Sequence, residues 1–103
     1  MYLILWEYQV KADQITEFEK TYGPEGAWSE LFQKHPGYLG SELLRDVSQP
    51  QRYITIDRWA SSEAYNSFQA KWQDEYKELD ARCESFMDSE SFLGTLSPVG
   101  PGG

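Results

Sequence analysis

Cysteine, histidine and positive charge are all scarce in this 103-residue chain, and each scarcity removes a class of chemistry. The single cysteine, Cys83, has no partner in the chain, so an internal disulfide is excluded and a reducing, cytoplasmic setting is the expectation. One histidine, His35, and one cysteine far from it in sequence do not make a zinc set, so no metal centre is expected. Nine Lys and Arg stand against 17 Asp and Glu, a formal charge of −8. That balance repels phosphate backbones and anionic headgroups, so neither nucleic acid nor a membrane surface is an expected partner. No apolar run approaches the roughly 20 residues of a membrane span. The opening stretch Tyr2-Leu3-Ile4-Leu5-Trp6 has no basic residues before it and meets Glu7, which reads as a strand and not as a signal peptide. Gly37 and Gly40 do not have the spacing of a dinucleotide-binding loop.

Aromatic residues are abundant: four Trp, seven Tyr and five Phe. Large rings supply much apolar area per residue, which lets one short domain build a core. Residues 2–10 are rich in rings and branched side chains and read as a strand, with Tyr2, Ile4, Trp6, Tyr8 and Val10 on one face. Asp13 is a candidate helix cap. Ile15, Phe18 and Tyr22, then Trp28, Leu31 and Phe32, follow at helical spacing around the break at Gly23-Pro24. This predicts a broken first helix over 13–22 and 24–34. Residues 38–47 and 52–59 read as strands joined through Ser48-Gln49-Pro50-Gln51. In the second of these, Tyr53, Thr55, Asp57 and Trp59 share one face, and Arg52, Ile54, Ile56 and Arg58 the other.

Ser61-Ser62-Glu63 opens a long helix, predicted over 61–83. Tyr65, Phe68, Trp72, Tyr76, Leu79 and Cys83 form its continuous apolar stripe. A short strand at 92–96 and a flexible Gly- and Pro-rich tail at 97–103 complete the chain, with residues 1–96 as one domain. The order βαββαβ implies an α+β, ferredoxin-like fold: a four-stranded antiparallel sheet with both helices on one face. The opposite face, with Leu3, Leu5, Ile54 and Ile56, then lacks a cover, and a second copy of the chain packed sheet to sheet closes it.

Three segments resemble the antibiotic-biosynthesis monooxygenase superfamily, the dimeric α+β barrels. They are His35-Pro36-Gly37-Tyr38-Leu39-Gly40 leading into the second strand, Arg52-Tyr53-Ile54-Thr55-Ile56-Asp57-Arg58-Trp59 as the third strand, and Ser61-Ser62-Glu63-Ala64-Tyr65 opening the second helix. The resemblance implies a homodimer and a site between helices and sheet inside each monomer. The superfamily includes cofactor-free quinone-forming oxygenases and haem-degrading enzymes. The haem-degrading branch uses an Asn on the first strand, a Trp ending the third and a His on the second helix. Trp59 matches the Trp, Tyr8 stands where the Asn would be, and residues 61–83 contain no His. Haem degradation is therefore not expected, nor is any bound cofactor.

Strand alternation combined with the resemblance directs Trp6, Tyr8, Tyr53, Asp57 and Trp59 toward a cavity, with Phe68 and Trp72 opposite. Asp57 among apolar strand positions is either paired with Arg45 or another arginine, or serves as a general base or hydrogen-bond acceptor. Tyr8 and Tyr53 offer hydroxyls to orient a phenol or quinone, or bond locally. Trp59 fills a strand-to-helix corner or walls a flat ligand. His35 is a loop histidine at a helix end or a base at the cavity mouth. Cys83 ends an apolar stripe as a buried small residue. These residues admit a cofactor-independent oxygenase acting on a phenol or quinol, a non-catalytic binder of a small aromatic molecule, or a scaffold whose dimer is its interaction.

Overall fold

We describe residues 1–100 of a computed structural model. Four strands, β1 (Tyr2–Val10), β2 (Tyr38–Arg45), β3 (Arg52–Trp59) and β4 (Met87–Leu96), form one antiparallel sheet in the order β2-β3-β1-β4. Helices α1 (Ile15–Tyr22), α2 (Ala27–Phe32), α3 (Ser62–Lys71) and α4 (Gln73–Cys83) occupy the connections after β1 and β3, so the expected βαββαβ order holds. β1 and β3, the richest in branched and aromatic residues, are the central pair. There both edges of each strand are hydrogen-bonded.

Register decides the faces. Ile4 lies opposite Asp57, Trp6 opposite Thr55 and Tyr8 opposite Tyr53, and all of these look toward the helices. Leu5 opposite Ile56 and Glu7 opposite Ile54 look the other way. Phe18, Tyr22, Trp28, Leu31 and Phe32 from α1 and α2, with Phe68, Leu79 and Cys83 from α3 and α4, meet the helix-facing side as one core. Its rings interlock in tilted and edge-to-face pairs: Trp59 contacts Phe32, Tyr38, Tyr65 and Phe68 at centroid separations of 5.2–5.7 Å.

Five expectations need correction. The predicted long helix is two, broken at Trp72 (φ −109°, ψ 25°), although no Gly or Pro marks the place. Trp72 closes α3 by bonding to Phe68 O, and Tyr76 starts α4 by bonding to Trp72 O. The last strand begins five residues earlier than expected, at Met87 instead of at 92. Its polar first half, Asp88-Ser89-Glu90-Ser91, is held by backbone pairing to β1, which overrides weak strand propensity on an exposed edge. The second strand ends at Arg45 because Asp46 turns the chain, accepting from the backbone N–H groups of Ser48 and Gln49. Asp13 sits inside a short 3₁₀ turn, Ala12–Gln14, and does not cap α1; the second piece of the first helix runs only over Ala27–Phe32.

The helix-free face carries Leu3, Leu5, Ile54 and Ile56, all only partly buried. Arg52 pairs there with Glu7 and Asp46, and Arg58 with Glu42. Beyond β4, Ser97 to Gly100 has no regular structure, and residues 101–103 of the expected tail lie outside the described residues. No helix among the described residues is long and apolar enough to cross a membrane.

Candidate functional site

Asp57 sits in the middle of β3, between Ile4 on β1 and Ser41 on β2. Ser41 Oγ donates to Asp57 Oδ1 at 2.6 Å. Behind it the Tyr38 hydroxyl lies 2.6 Å from Ser41 Oγ and 3.2 Å from Ser29 Oγ, so its one proton is shared between the two serines. This short polar chain links β2, β3 and α2 beneath the helices. No Arg, Lys or His among the described residues pairs with Asp57. Burial pushes its pKa up to about 6, and the Ser41 hydrogen bond offsets only part of that rise.

A pocket of about 600 Å³, counting its solvent-facing mouth, opens beside this carboxyl. Trp6, Tyr8, Thr55, Asp57 and Ser41 supply the sheet side. Tyr22 of α1, Trp28, Ser29 and Phe32 of α2, and Tyr76 and Asp80 of α4 form the helical walls, and Glu90 of β4 stands at one edge. Tyr8 bonds Thr55 Oγ1 at 3.2 Å. Burial, assisted by nearby acidic groups, raises the Tyr8 and Tyr76 hydroxyls far above the ordinary phenol range, and burial does the same to Tyr22. All three are neutral hydrogen-bond groups at any working pH.

The structure brings together three of the expected site residues, Trp6, Tyr8 and Asp57, and places five elsewhere. Tyr53 faces the helices, but its ring lies against Phe18 and its hydroxyl donates to Glu19. Arg45 approaches the same Glu19 at 3.7 Å, so the expected Arg45–Asp57 pair does not form. Trp59 and Phe68 are completely buried in the ring cluster and are not part of the pocket lining. Trp72 is taken up at the α3–α4 break, with Lys34 and Lys71 lying over its ring. His35 follows α2 with its ring edge-on to Phe68 and its Nδ1 buried without a partner, away from the pocket lining.

Sequence reasoning missed Ser41, Ser29, Asp80 and Glu90. Ser41 shares a face of β2 with Leu43 and Arg45, so counting back through the hairpin to Asp57 would have found it. Asp80 lies one turn beyond Tyr76 on the apolar stripe. Glu90 carries no such signal, because its strand is specified by pairing to β1.

The sequence matches the family model for antibiotic biosynthesis monooxygenase over residues 1–92. It is 32% identical over 60 residues to the heme oxygenase (mycobilin-producing) of Mycobacterium tuberculosis. That alignment covers 58% of this chain and 54% of that protein, about half the length of the curated relative. Among solved structures, the chain superposes on SnoaB, a cofactor-independent oxygenase from Streptomyces nogalater, with a TM-score of 0.66, 16% identity and coverage of 97% of this chain and 94% of that one. Rv0793 from Mycobacterium tuberculosis superposes with a TM-score of 0.71 at 9% identity, covering 99% and 98% of the two chains. At these identities the superpositions speak for the fold.

Proposed function

The chain belongs to the antibiotic biosynthesis monooxygenase family, and from that premise we propose that it is a cofactor-independent oxygenase acting on a phenolic or quinol small molecule in the pocket beside Asp57. The observation that carries this reading is the Asp57 carboxyl itself. It is half-buried among rings, bonded to Ser41 and otherwise unpaired, with a pKa raised to about 6. Above that pH it is ionised and placed to act as a general base toward the hydroxyl of a phenol held against it.

The chemistry then runs on the substrate's own electrons. Deprotonation gives an electron-rich phenolate, which passes one electron to dioxygen. Recombination forms a peroxide anion on a ring carbon still bearing hydrogen, and Asp57 returns the phenol's proton to it to give the hydroperoxide. Asp57 then takes the hydrogen of that carbon as the O–O bond breaks, which leaves a quinone, and passes this proton to the departing hydroxide. One phenol and one dioxygen become one quinone and one water, so no external reductant enters. Neutral donors lining the pocket, the hydroxyls of Tyr22 and Tyr76, are available to the transient oxyanion.

Haem chemistry, named for the mycobacterial relative, is not proposed here. The one histidine lies outside the pocket, and among the described residues no basic side chain lines it to meet a propionate. A non-catalytic binder is the second reading; it is favoured by the absence of a cation to hold an anionic intermediate, since Arg45 is engaged with Glu19 and Arg58 with Glu42 on the opposite face. The working form we propose is a cytoplasmic homodimer joined through the Ile54 and Ile56 face. Oxygen uptake with a panel of hydroquinones and naphthols separates the two readings. Turnover lost in Asp57→Asn supports the enzyme, and saturable binding without oxygen uptake supports the binder.

A further inference from the structure

The charge of the pocket is more one-sided than its size or aromaticity. Asp57, Asp80 and Glu90 line it, and no Lys, Arg or His does. A second groove adjoins it, sharing Tyr22, Asp80 and Glu90 and adding Glu84 and Asp88, again without a basic residue. Arg82, the nearest cation in sequence, is exposed and belongs to neither lining. The crowding is felt: burial and the negative charges of Asp80 and Glu84 raise the Glu90 carboxyl above its ordinary range. These carboxylates do not gather around one point, for among the described residues no group of three or more His, Cys, Asp or Glu is placed to hold a metal ion. They are spread along a path that begins at a ring-lined cavity, where Trp28 and Tyr76 meet edge to face at 5.0 Å.

We infer that this path is built for an aromatic amine: a flat phenolic ring seated beside Asp57, with a protonated amine on a short chain reaching the groove between Asp80 and Glu90. An ammonium there gains from both carboxylates and from the aromatic faces beside it, whereas a carboxylate or phosphate at the same place meets like charge and no donor cation. The inference rests on the pocket reading of the preceding section and adds the charge of the substrate to it.

Three phenols that share one ring and differ in the charge of their side chain test it: tyramine, 4-ethylphenol and 4-hydroxyphenylacetate. Calorimetric titration of the full chain at pH 7.5 and low salt reads their affinities. Tyramine is expected to bind about tenfold more tightly than 4-ethylphenol, and 4-hydroxyphenylacetate most weakly. In the double variant Asp80→Asn, Glu90→Gln, the affinity ratio of tyramine to 4-ethylphenol should fall to about one. The single variant Glu90→Gln, at an exposed strand position, should lose part of the preference and serves if the double variant does not fold. Equal binding of tyramine and 4-ethylphenol, tightest binding of the acid, or a preference that survives the double variant or is undiminished in the single one overturns the inference and leaves the phenol pocket standing. Failure of all three probes to bind the wild-type chain overturns the pocket reading and this inference together.

Discussion

Asp57 accepts a hydrogen bond from Ser41 Oγ, and burial lifts its pKa to about 6, above the range of an exposed carboxylate. A folded-state pKa above the unfolded one means that the native chain binds the proton more tightly. The contribution of Asp57 to stability is therefore most favourable when it is protonated, falls as pH rises from about 4 to about 6, and stays lower above that. Asp57→Asn removes the buried charge while keeping an acceptor for Ser41. It is expected to stabilise the protein at pH 8 by about 1–3 kcal/mol, seen as a higher melting temperature, and to change little at pH 4. A lower melting temperature at pH 8 would mean that the carboxylate has a cationic partner after all. Under the oxygenase reading the same variant loses turnover, and wild-type activity rises through a pH near 6 as the base ionises. Ser41→Ala removes the one hydrogen bond favouring the ionised form, so the activity limb should move to higher pH.

At the scale of elements, the turn between α2 and β2 positions the roof of the pocket over the sheet. Gly37 has φ +97°, and its carbonyl accepts from Ala60 N at 2.7 Å, tying the turn to the start of α3. A Cβ built at Gly37 would come within 2.6 Å of the Ala64 Cβ. Gly37→Ala thus combines an unfavourable backbone region with a clash against a helix that cannot easily retreat. It should cost about 2–4 kcal/mol, read as a drop in the denaturation midpoint. An unchanged midpoint would show that α3 shifts freely over the sheet. The Pro36-Gly37 pair was legible as a stop; the close approach of α3 that makes Gly necessary was not, because it joins residues far apart in sequence. The α3–α4 break at Trp72 was likewise not legible, since no Gly or Pro marks it.

For the whole molecule, the sheet is asymmetric: helices pack on one face, while Leu3, Leu5, Ile54 and Ile56 on the other stay partly open. Leu44 and Leu96 extend that apolar strip to the sheet edges. We expect sedimentation of the purified chain to give a dimer at micromolar concentration. Ile56→Lys, which places an unpaired charge in the centre of the strip, should yield monomer or insoluble protein. A wild-type monomer at that concentration would refute the sheet-to-sheet pairing. The chain end makes a contrasting case, since Val99 is fully exposed. Truncation after Leu96 should leave the melting temperature within a few degrees, and a larger fall would show that the tail packs.

Alternation along β1 and β3 determined which side chains face the helices, because a pleated strand admits only two faces and the apolar residues choose between them. Element order and the Pro-Gly stop then determined the βαββαβ architecture, and the residue types excluded a disulfide and a zinc set before any coordinate was known. Which of the helix-facing residues reach a cavity was decided only by tertiary structure. Tyr53 and Trp59 obey the same alternation as Tyr8 and Asp57, yet Phe18 and Glu19 claim the first, and Phe32, Tyr38, Tyr65 and Phe68 enclose the second. The acidic character of the pocket also arose there, since Asp57, Asp80 and Glu90 lie on three separate elements. A strand's pattern specifies a direction for each side chain, whereas an empty space and its charge depend on how every neighbouring element fills the volume around it.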